Sequence, residues 1–299
     1  MADLGWGELL ELFGYAVLSA LVAGLVCPLI GCFLLVRRTG FYGVALPQFA
    51  AAGIAFGWAL PVWATALGWA EIDLEVAQLE SPHAVNNYLM GLAGLFTFGG
   101  LIALLLLDKR KETETGRVAA AFAIASAATI LLSSVTPHGA EVVDQLMHGE
   151  ILTADLHEFE TIGVAYGIVL VLTLVFGGDL LLASYDPDTA RILGLGVRRI
   201  EGLLLSLIGL TVSVGVMVVG PVVLFGLLVL PPLAARSVAW SMRSFLWLAN
   251  AMGVLAALAG IVVSFAFDWS LGPSVVAVAA VVMVPAFLFG RWSERRARA

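Results

Sequence analysis

Nine long apolar stretches constrain the fold of this chain more than any other feature of its sequence. A run of about 20 apolar residues is long enough to cross a bilayer as a helix. Hydrophobic residues make up 61% of the 299 residues and charged residues only 12%, which leaves no room for a sizeable soluble domain. The sequence therefore predicts an all-α, polytopic membrane helix bundle that forms a single domain over 1–299. The predicted spans are 12–36, 43–62, 88–107, 118–135, 161–182, 201–219, 221–238, 245–266 and 272–290.

The basic residues orient these spans. The block 201–238 is divided at Gly220-Pro221, because proline lacks the N–H donor that would continue the helix. With nine spans and an outer N-terminus, all 15 Lys and Arg residues fall on one side of the membrane, which the positive-inside rule makes cytoplasmic. Fusing the block into one span would place the basic cluster 291–298 on the opposite side. We therefore expect about nine spans and a cytoplasmic C-terminus.

The opposite side has the reverse composition. The predicted outer loops 70–87 and 136–158 are rich in acidic residues, and all four histidines lie in or near them. Such a surface attracts cations. One interpretation is that these side chains capture a metal ion; another is that the loops are hydrated and dock a partner protein. The candidate capture residues are His138, His148, His157, Asp144 and Glu150.

Several functional classes are disfavoured by what the sequence lacks. Ion-coupled carriers need a charged or coordinating group inside the bilayer, and no acidic or basic residue lies near the middle of a predicted span. The pattern G-x-x-x-x-G-K-[ST] is missing, so this chain cannot hydrolyse ATP through a P-loop. His157-Glu158 begins like the zinc motif H-E-x-x-H, but Thr161 stands where the second histidine would be. The net charge of −7 excludes a nucleic-acid binder of the usual basic kind.

The segment between the fifth and sixth spans predicts a short cytoplasmic helix over 186–196. Asp186 is a good N-cap, and Pro187 suits the first helical position. Gly194 is a natural stop in the left-handed region. The apolar residues Ala190, Ile192, Leu193 and Leu195 give the helix an edge that could insert into a groove on a partner protein. A plain connector is the alternative interpretation.

Five segments, in order along the chain, carry a resemblance to the permease subunits of zinc/manganese/iron-type (ABC-3 family) ATP-binding-cassette importers. The connector Ser184-Tyr185-Asp186 with Ala190 and Leu193-Gly194 resembles the family's "S-F-D…A…(L/M)-G" coupling segment, and Leu146 to Leu152 resembles its "L-F-G-x-I-L" segment. The other three segments are 31–38, the stretch from Val219-Gly220-Pro221 to Ala235, and the turn 268–273.

The resemblance implies a permease that imports zinc, manganese or iron into the cytoplasm by alternating access. It implies a dimer of two copies in the inner membrane, a pair of cytoplasmic ATPases that hold ATP and Mg, and an extracytoplasmic substrate-binding protein. This chain would then be a transport subunit that binds no cofactor itself. The resemblance implies that one set of residues couples the permease to the ATPase, with Ala190 packed closely on the ATPase. These residues are Asp186, Pro187, Ala190, Arg191, Leu193, Gly194 and Gly196.

The second span departs from the family pattern. Family members often carry "G-D-A-(L/I)-S-H-A-V-L-P-G", whose Asp and His are associated with the metal path, where this chain has Gly43 to Gly53. Val44 replaces the Asp and Gln48 the His, and neither is a first-choice ligand for zinc or manganese. We expect Val44, Gln48 and Gly53 to line the translocation path. A metal chelate or another small solute is the alternative cargo, and a secondary transporter is a weaker alternative.

Overall fold

The computed structural model describes residues 6–37, 42–68, 80–106, 114–136 and 156–298, together with the single positions 74, 77 and 141. Ten helices lie in these ranges and account for nearly all of them. They are α1 (Trp6–Val36), α2 (Tyr42–Ala66), α3 (Pro82–Leu106), α4 (Glu114–Ser133), α5 (Leu156–Tyr185), α6 (Pro187–Ile192), α7 (Val197–Val219), α8 (Pro221–Val238), α9 (Met242–Phe267) and α10 (Leu271–Arg298).

Nine of these helices, all except α6, are long and apolar enough to cross a membrane. The all-helical fold and the number of spans are therefore confirmed for the part of the chain that the structure describes. The division of the block 201–238 is also observed, because Gly220 separates α7 from α8 with φ at +84°. A residue with a side chain adopts this left-handed backbone only with strain, whereas glycine does so freely. Pro221 then occupies the first position of α8.

The central helices of the bundle are α1, α2, α7 and α8, which are the spans with the largest buried share. Small residues let these helices approach closely. Close packing matters in a membrane because the hydrophobic effect does not drive helices together there. Where α1 crosses α9, a Cβ on Gly24 would lie only 2.9 Å from the Gly253 carbonyl oxygen. At the contact of α5 with α7, the buried Tyr166 hydroxyl donates to the Thr211 carbonyl oxygen at 3.0 Å.

The helix ends meet at two opposite faces. On one face, which we call the basic face, the end of α1 contacts the start of α7 through an ion pair of Arg37 with Glu201. The end of α10 reaches the end of α8 there, at Gly290 and Ser237. The described arginines on its helix ends and connectors include Arg37, Arg117, Arg191, Arg198, Arg199, Arg236 and Arg243.

The opposite face, which we call the histidine face, joins the starts of α1, α3 and α5 with the end of α9. Asn86 Nδ2 donates to Glu158 Oε1 at 3.2 Å and links α3 to α5. The Phe13 and Phe265 rings lie 5.7 Å apart and link α1 to α9. Consecutive spans therefore alternate in direction, which is the arrangement that the nine-span reading requires.

Candidate functional site

The short helix α6 on the basic face begins as its sequence predicts. Asp186 is the N-cap, and its carboxylate accepts hydrogen bonds from the Thr189 backbone N–H at 3.0 Å and the Thr189 hydroxyl at 2.6 Å. These hydrogen bonds lower the pKa of the Asp186 carboxyl below its ordinary value, since they favour the charged form. Pro187 takes the first helical position, and Arg191 pairs with Asp188 at 2.7 Å on the exposed surface.

The end of α6 also follows the sequence prediction. Gly194 has φ at +80°, and its N–H donates to the Arg191 carbonyl at 3.0 Å. The Leu195 N–H reaches back to the Ala190 carbonyl at 3.0 Å, which closes the helix end in the manner of a Schellman motif. Gly196 then caps the start of α7 without a side-chain hydrogen bond. The connector is thus fixed at both ends by its own residues.

Of the four residues predicted for the exposed edge of α6, Ile192 and Leu193 are exposed, Leu195 is half-buried and Ala190 is buried. Ile192 and Leu193 are 85% and 66% exposed, which for apolar residues on a polar face leaves a surface that a partner could cover. Ala190 has no exposed surface, and α6 packs against α5 and α7 of its own chain. The expectation that Ala190 packs on the ATPase is therefore wrong: its side chain lies inside the permease.

Beside α6, Arg37 and Glu201 join α1 to α7 by an ion pair that is partly shielded from solvent. The sequence prediction missed this contact. The available signal was the predicted topology, because the end of the first span and the start of the sixth both lie on the basic side. This ion pair holds the start of α7, and with it the connector, against α1.

The predicted path residues do not share one environment. Val44 and Gln48 are four residues apart in α2, so they lie on one stripe of the helix, and both are partly exposed in the single chain. Gly53 is buried, and a Cβ there would lie 2.6 Å from the Leu92 carbonyl oxygen of α3. Gly53 is thus a contact between α2 and α3, whereas Val44 and Gln48 are accessible to a cargo or to another chain.

Of the predicted capture residues, the structure describes His157. The other four, His138, His148, Asp144 and Glu150, lie outside the described residues. His157 is paired with His83, a residue that the predicted set omitted, and their ring centroids are 4.3 Å apart. Each of the two histidines lies at the start of an odd-numbered span, so the predicted topology places both on the same side of the membrane. That shared side could have indicated the pair. Within the described ranges, no group of three His, Cys, Asp or Glu residues has the geometry of a metal site.

Comparison with known proteins gives matches along nearly the whole chain. It is 24% identical over 291 residues to the manganese import system permease protein ScaB of Streptococcus gordonii, covering 95% of this chain and 94% of that protein. It is 25% identical over 284 residues to the high-affinity zinc uptake system membrane protein ZnuB of Haemophilus influenzae, covering 92% and 96%.

A solved structure has the same fold. The chain superimposes on a chain of PsaBC from Streptococcus pneumoniae in complex with Fab with a TM-score of 0.74 at 21% identity, and 94% of this chain and 95% of that chain are covered. The sequence profile of the ABC 3 transport family matches residues 10–290, which include eight spans, α6 and most of α1. This protein belongs to the ABC 3 transport family.

Proposed function

We propose a route by which cargo crosses this protein and a mechanism by which ATP drives it. The chain is the multi-pass membrane permease of an ABC importer for manganese, zinc or chelated iron, and it is not the ATPase. The observation that carries this conclusion is the family match over 10–290. It includes the connector as well as the spans, which supports a permease role for the chain as a whole.

The partners follow from this function. A permease of an ABC importer works with an ATPase and a substrate-binding protein. We place a pair of ATPases against the basic face, which the positive-inside rule makes cytoplasmic. The binding protein then docks on the histidine face, and a second copy of the chain completes the path. The whole chain, 1–299, acts as one permease domain in this arrangement.

Coupling is assigned to the segment 186–196. The exposed pair Ile192 and Leu193 is the natural contact for a groove on the ATPase, because burial of two apolar side chains stabilises the complex. Motion of the ATPase then passes through α6 to α5 and α7, against which α6 packs. Ala190 transmits this motion from inside the permease, and Gly194 with Gly196 forms the joint to α7.

The path is assigned to the α2 stripe that carries Val44 and Gln48. Gln48 offers a carbonyl oxygen, which is a weak ligand for zinc or manganese but a good hydrogen-bond partner for a hydrated or chelated ion. Chelated cargo is therefore favoured at this position over a bare ion. The outer residues His138, His148, His157, Asp144 and Glu150, now with His83, attract the cation to the mouth of the path.

Uptake by the complete importer tests these assignments. The permease, its ATPase and its binding protein are reconstituted in vesicles, and entry of labelled manganese, zinc and iron is followed with and without a chelator. We expect ATP-dependent uptake that is undiminished or increased by the chelator. Equal uptake by an importer with an inactive ATPase, collapsing when the ion gradient is removed, would instead identify a secondary transporter.

A further inference from the structure

A cleft opens on the basic face between the ends of four spans, α1, α5, α8 and α9. Its volume is about 990 Å³, which is within the usual range of ligand pockets. The end of α1 contributes Leu35 and Val36, and α1 packs against both α5 and α9, which continue the lining of the cleft. The remaining apolar lining comes from Leu181, Leu182, Met242 and Phe245. The interior of the cleft is therefore suited to a hydrocarbon chain.

The α5 side of the cleft continues toward the middle of the bundle as an exposed apolar stripe. Val171, Val175, Gly178, Leu182 and Tyr185 follow one another at intervals of three or four residues, so they lie along one side of the helix. The first two are 57% and 68% exposed, and the last three line the cleft. An extended apolar ligand seated in the cleft could therefore continue along α5 at the depth of the lipid chains.

The rim of the cleft carries a free positive charge. Arg236 lines the cleft and is exposed, and no carboxylate in the described part of the chain lies within ion-pair distance of it. The carboxylate of Asp186 also reaches the rim, but both of its oxygens accept hydrogen bonds from Thr189. Arg236 is thus the group at this rim that is available to an anion.

Two tryptophans place the rim at the membrane boundary. Trp240 lines the cleft and Trp247 lies two turns further along the chain, and they are 84% and 77% exposed. Exposed tryptophan at the ends of spans is typical of the headgroup region of a bilayer. Arg236, Trp240 and the apolar lining therefore border one cleft at the membrane boundary, where a phospholipid presents its phosphate, glycerol region and acyl chains.

We propose that this cleft is a binding site for an anionic phospholipid of the leaflet at the basic face. Arg236 holds the phosphate, as basic pockets between spans do for acidic lipids. Trp240 lies beside the glycerol region, and one acyl chain occupies the cleft and the α5 stripe. The site borders Asp186, so its occupant lies next to the start of α6. This inference depends on the membrane location of the chain and not on the identity of its cargo.

Lipid retention by the purified complete importer tests the site. The importer is incubated with phosphatidylglycerol or phosphatidylcholine in detergent, and bound lipid is counted by native mass spectrometry. We expect preferential retention of phosphatidylglycerol, reduced about five-fold in Arg236→Gln, since one arginine near an anionic membrane surface is worth about 1 kcal/mol. Arg243→Gln is the matched control, because Arg243 lies on the same face but does not line the cleft.

A second pair of variants tests the apolar part of the site. A Cβ on Gly177 or on Gly178 would meet no atom within 4 Å, so a side chain can begin at either position without a clash. Gly178 lines the cleft and Gly177 does not. Gly178→Leu is expected to lower phosphatidylglycerol retention, while Gly177→Leu retains as much as the unchanged protein. A photoactivatable phosphatidylglycerol should label peptides that contain 178–186 and 236–245.

Three results would overturn the proposal. Equal retention of the two lipids would remove the role of Arg236, and unchanged retention in both Arg236→Gln and Gly178→Leu would remove the cleft. Retention by the isolated permease that disappears when the ATPase is bound would identify the ATPase as the occupant. None of these results would change metal uptake by the unmodified importer, so they are distinguishable from a failure of the proposed function.

Discussion

The connector 186–196 and the α2 stretch 43–53 are both short, but different forces fix their structures. The connector is held by its own residues, through the Asp186 cap and the left-handed Gly194. The α2 stretch is held by the rest of the bundle, and Gly53 is placed by the α3 backbone at Leu92. Local hydrogen bonds fix both ends of the connector, whereas the α2 stretch depends on how α2 is rotated against its neighbours.

The largest effect is expected where α2 depends on that packing. A side chain at Gly53 would overlap the Leu92 carbonyl oxygen, which is backbone and cannot move aside cheaply. Gly53→Val should therefore lower the free energy of unfolding by roughly 1–3 kcal/mol or prevent assembly of the permease. Thermal unfolding followed by size-exclusion chromatography measures the loss.

Gly91→Val provides the matched control for this position. Gly91 lies on α3 close to the same contact, but a Cβ there would meet nothing within 4 Å. We expect this variant to keep a melting temperature near that of the unchanged protein. An equal loss in both variants would show that overlap with the α3 backbone is not the cause of the loss at Gly53.

The next effect concerns the buried side of α6. Ala190 has no exposed surface, so a large side chain there must push α6 away from α5 and α7. Ala190→Trp should leave the nine spans inserted and the protein dimeric, yet abolish the stimulation of ATP hydrolysis by loaded binding protein. The ATPase activity of the reconstituted complex, with and without that protein, measures this.

Ile192→Ser separates transmission within the permease from contact with the ATPase. Ile192 is 85% exposed, so the change leaves the packing of α6 intact and removes apolar surface from its outer edge. This variant should need more ATPase to reach full stimulation, whereas Ala190→Trp should not be rescued by any amount. Rescue of Ala190→Trp by excess ATPase would place its effect at the interface after all.

The same contrast explains what the sequence could predict. The spans, the break at Gly220 and both ends of α6 follow from hydropathy and from residues that cap helices within a few positions. Other features depend on contacts between residues of different helices. These are the burial of Ala190, the pairing of His83 with His157 and the ion pair of Arg37 with Glu201. The predicted topology indicates which helix ends share a face, but periodicity along one helix does not show which neighbour each side contacts, so the contacts themselves required the structure.

A smaller effect is expected at the accessible side of α2. Gln48 is partly exposed on the same stripe as Val44, so leucine can replace it without a packing defect. Gln48→Leu should reduce the rate of uptake while membrane insertion and basal ATP hydrolysis stay unchanged. Undiminished uptake would remove Gln48 from the path.

The double change Val44→Asp with Gln48→His should increase the affinity for bare first-row divalent ions, measured by competition with the chelated cargo.

The smallest effect is expected at the cap of α6, because Gly194 and the packing on α5 and α7 still hold the helix when the cap is weakened. Asp186→Ala removes both hydrogen bonds to Thr189, so hydrogen exchange of the amides in 187–192 should become faster; Asp186→Asn keeps an acceptor and should change it less.

The pKa of Asp186 is lowered in the folded protein from an ordinary value of 3.8, so its charge stabilises the helix fully above that pH. This contribution is lost as the pH falls below 3.8 and passes through the lowered pKa of the folded protein. In that range, hydrogen exchange in the unchanged protein should become similar to that in the Asn variant. Protection that stays different between the two at the acid end would show that the charge of Asp186 does not stabilise the cap.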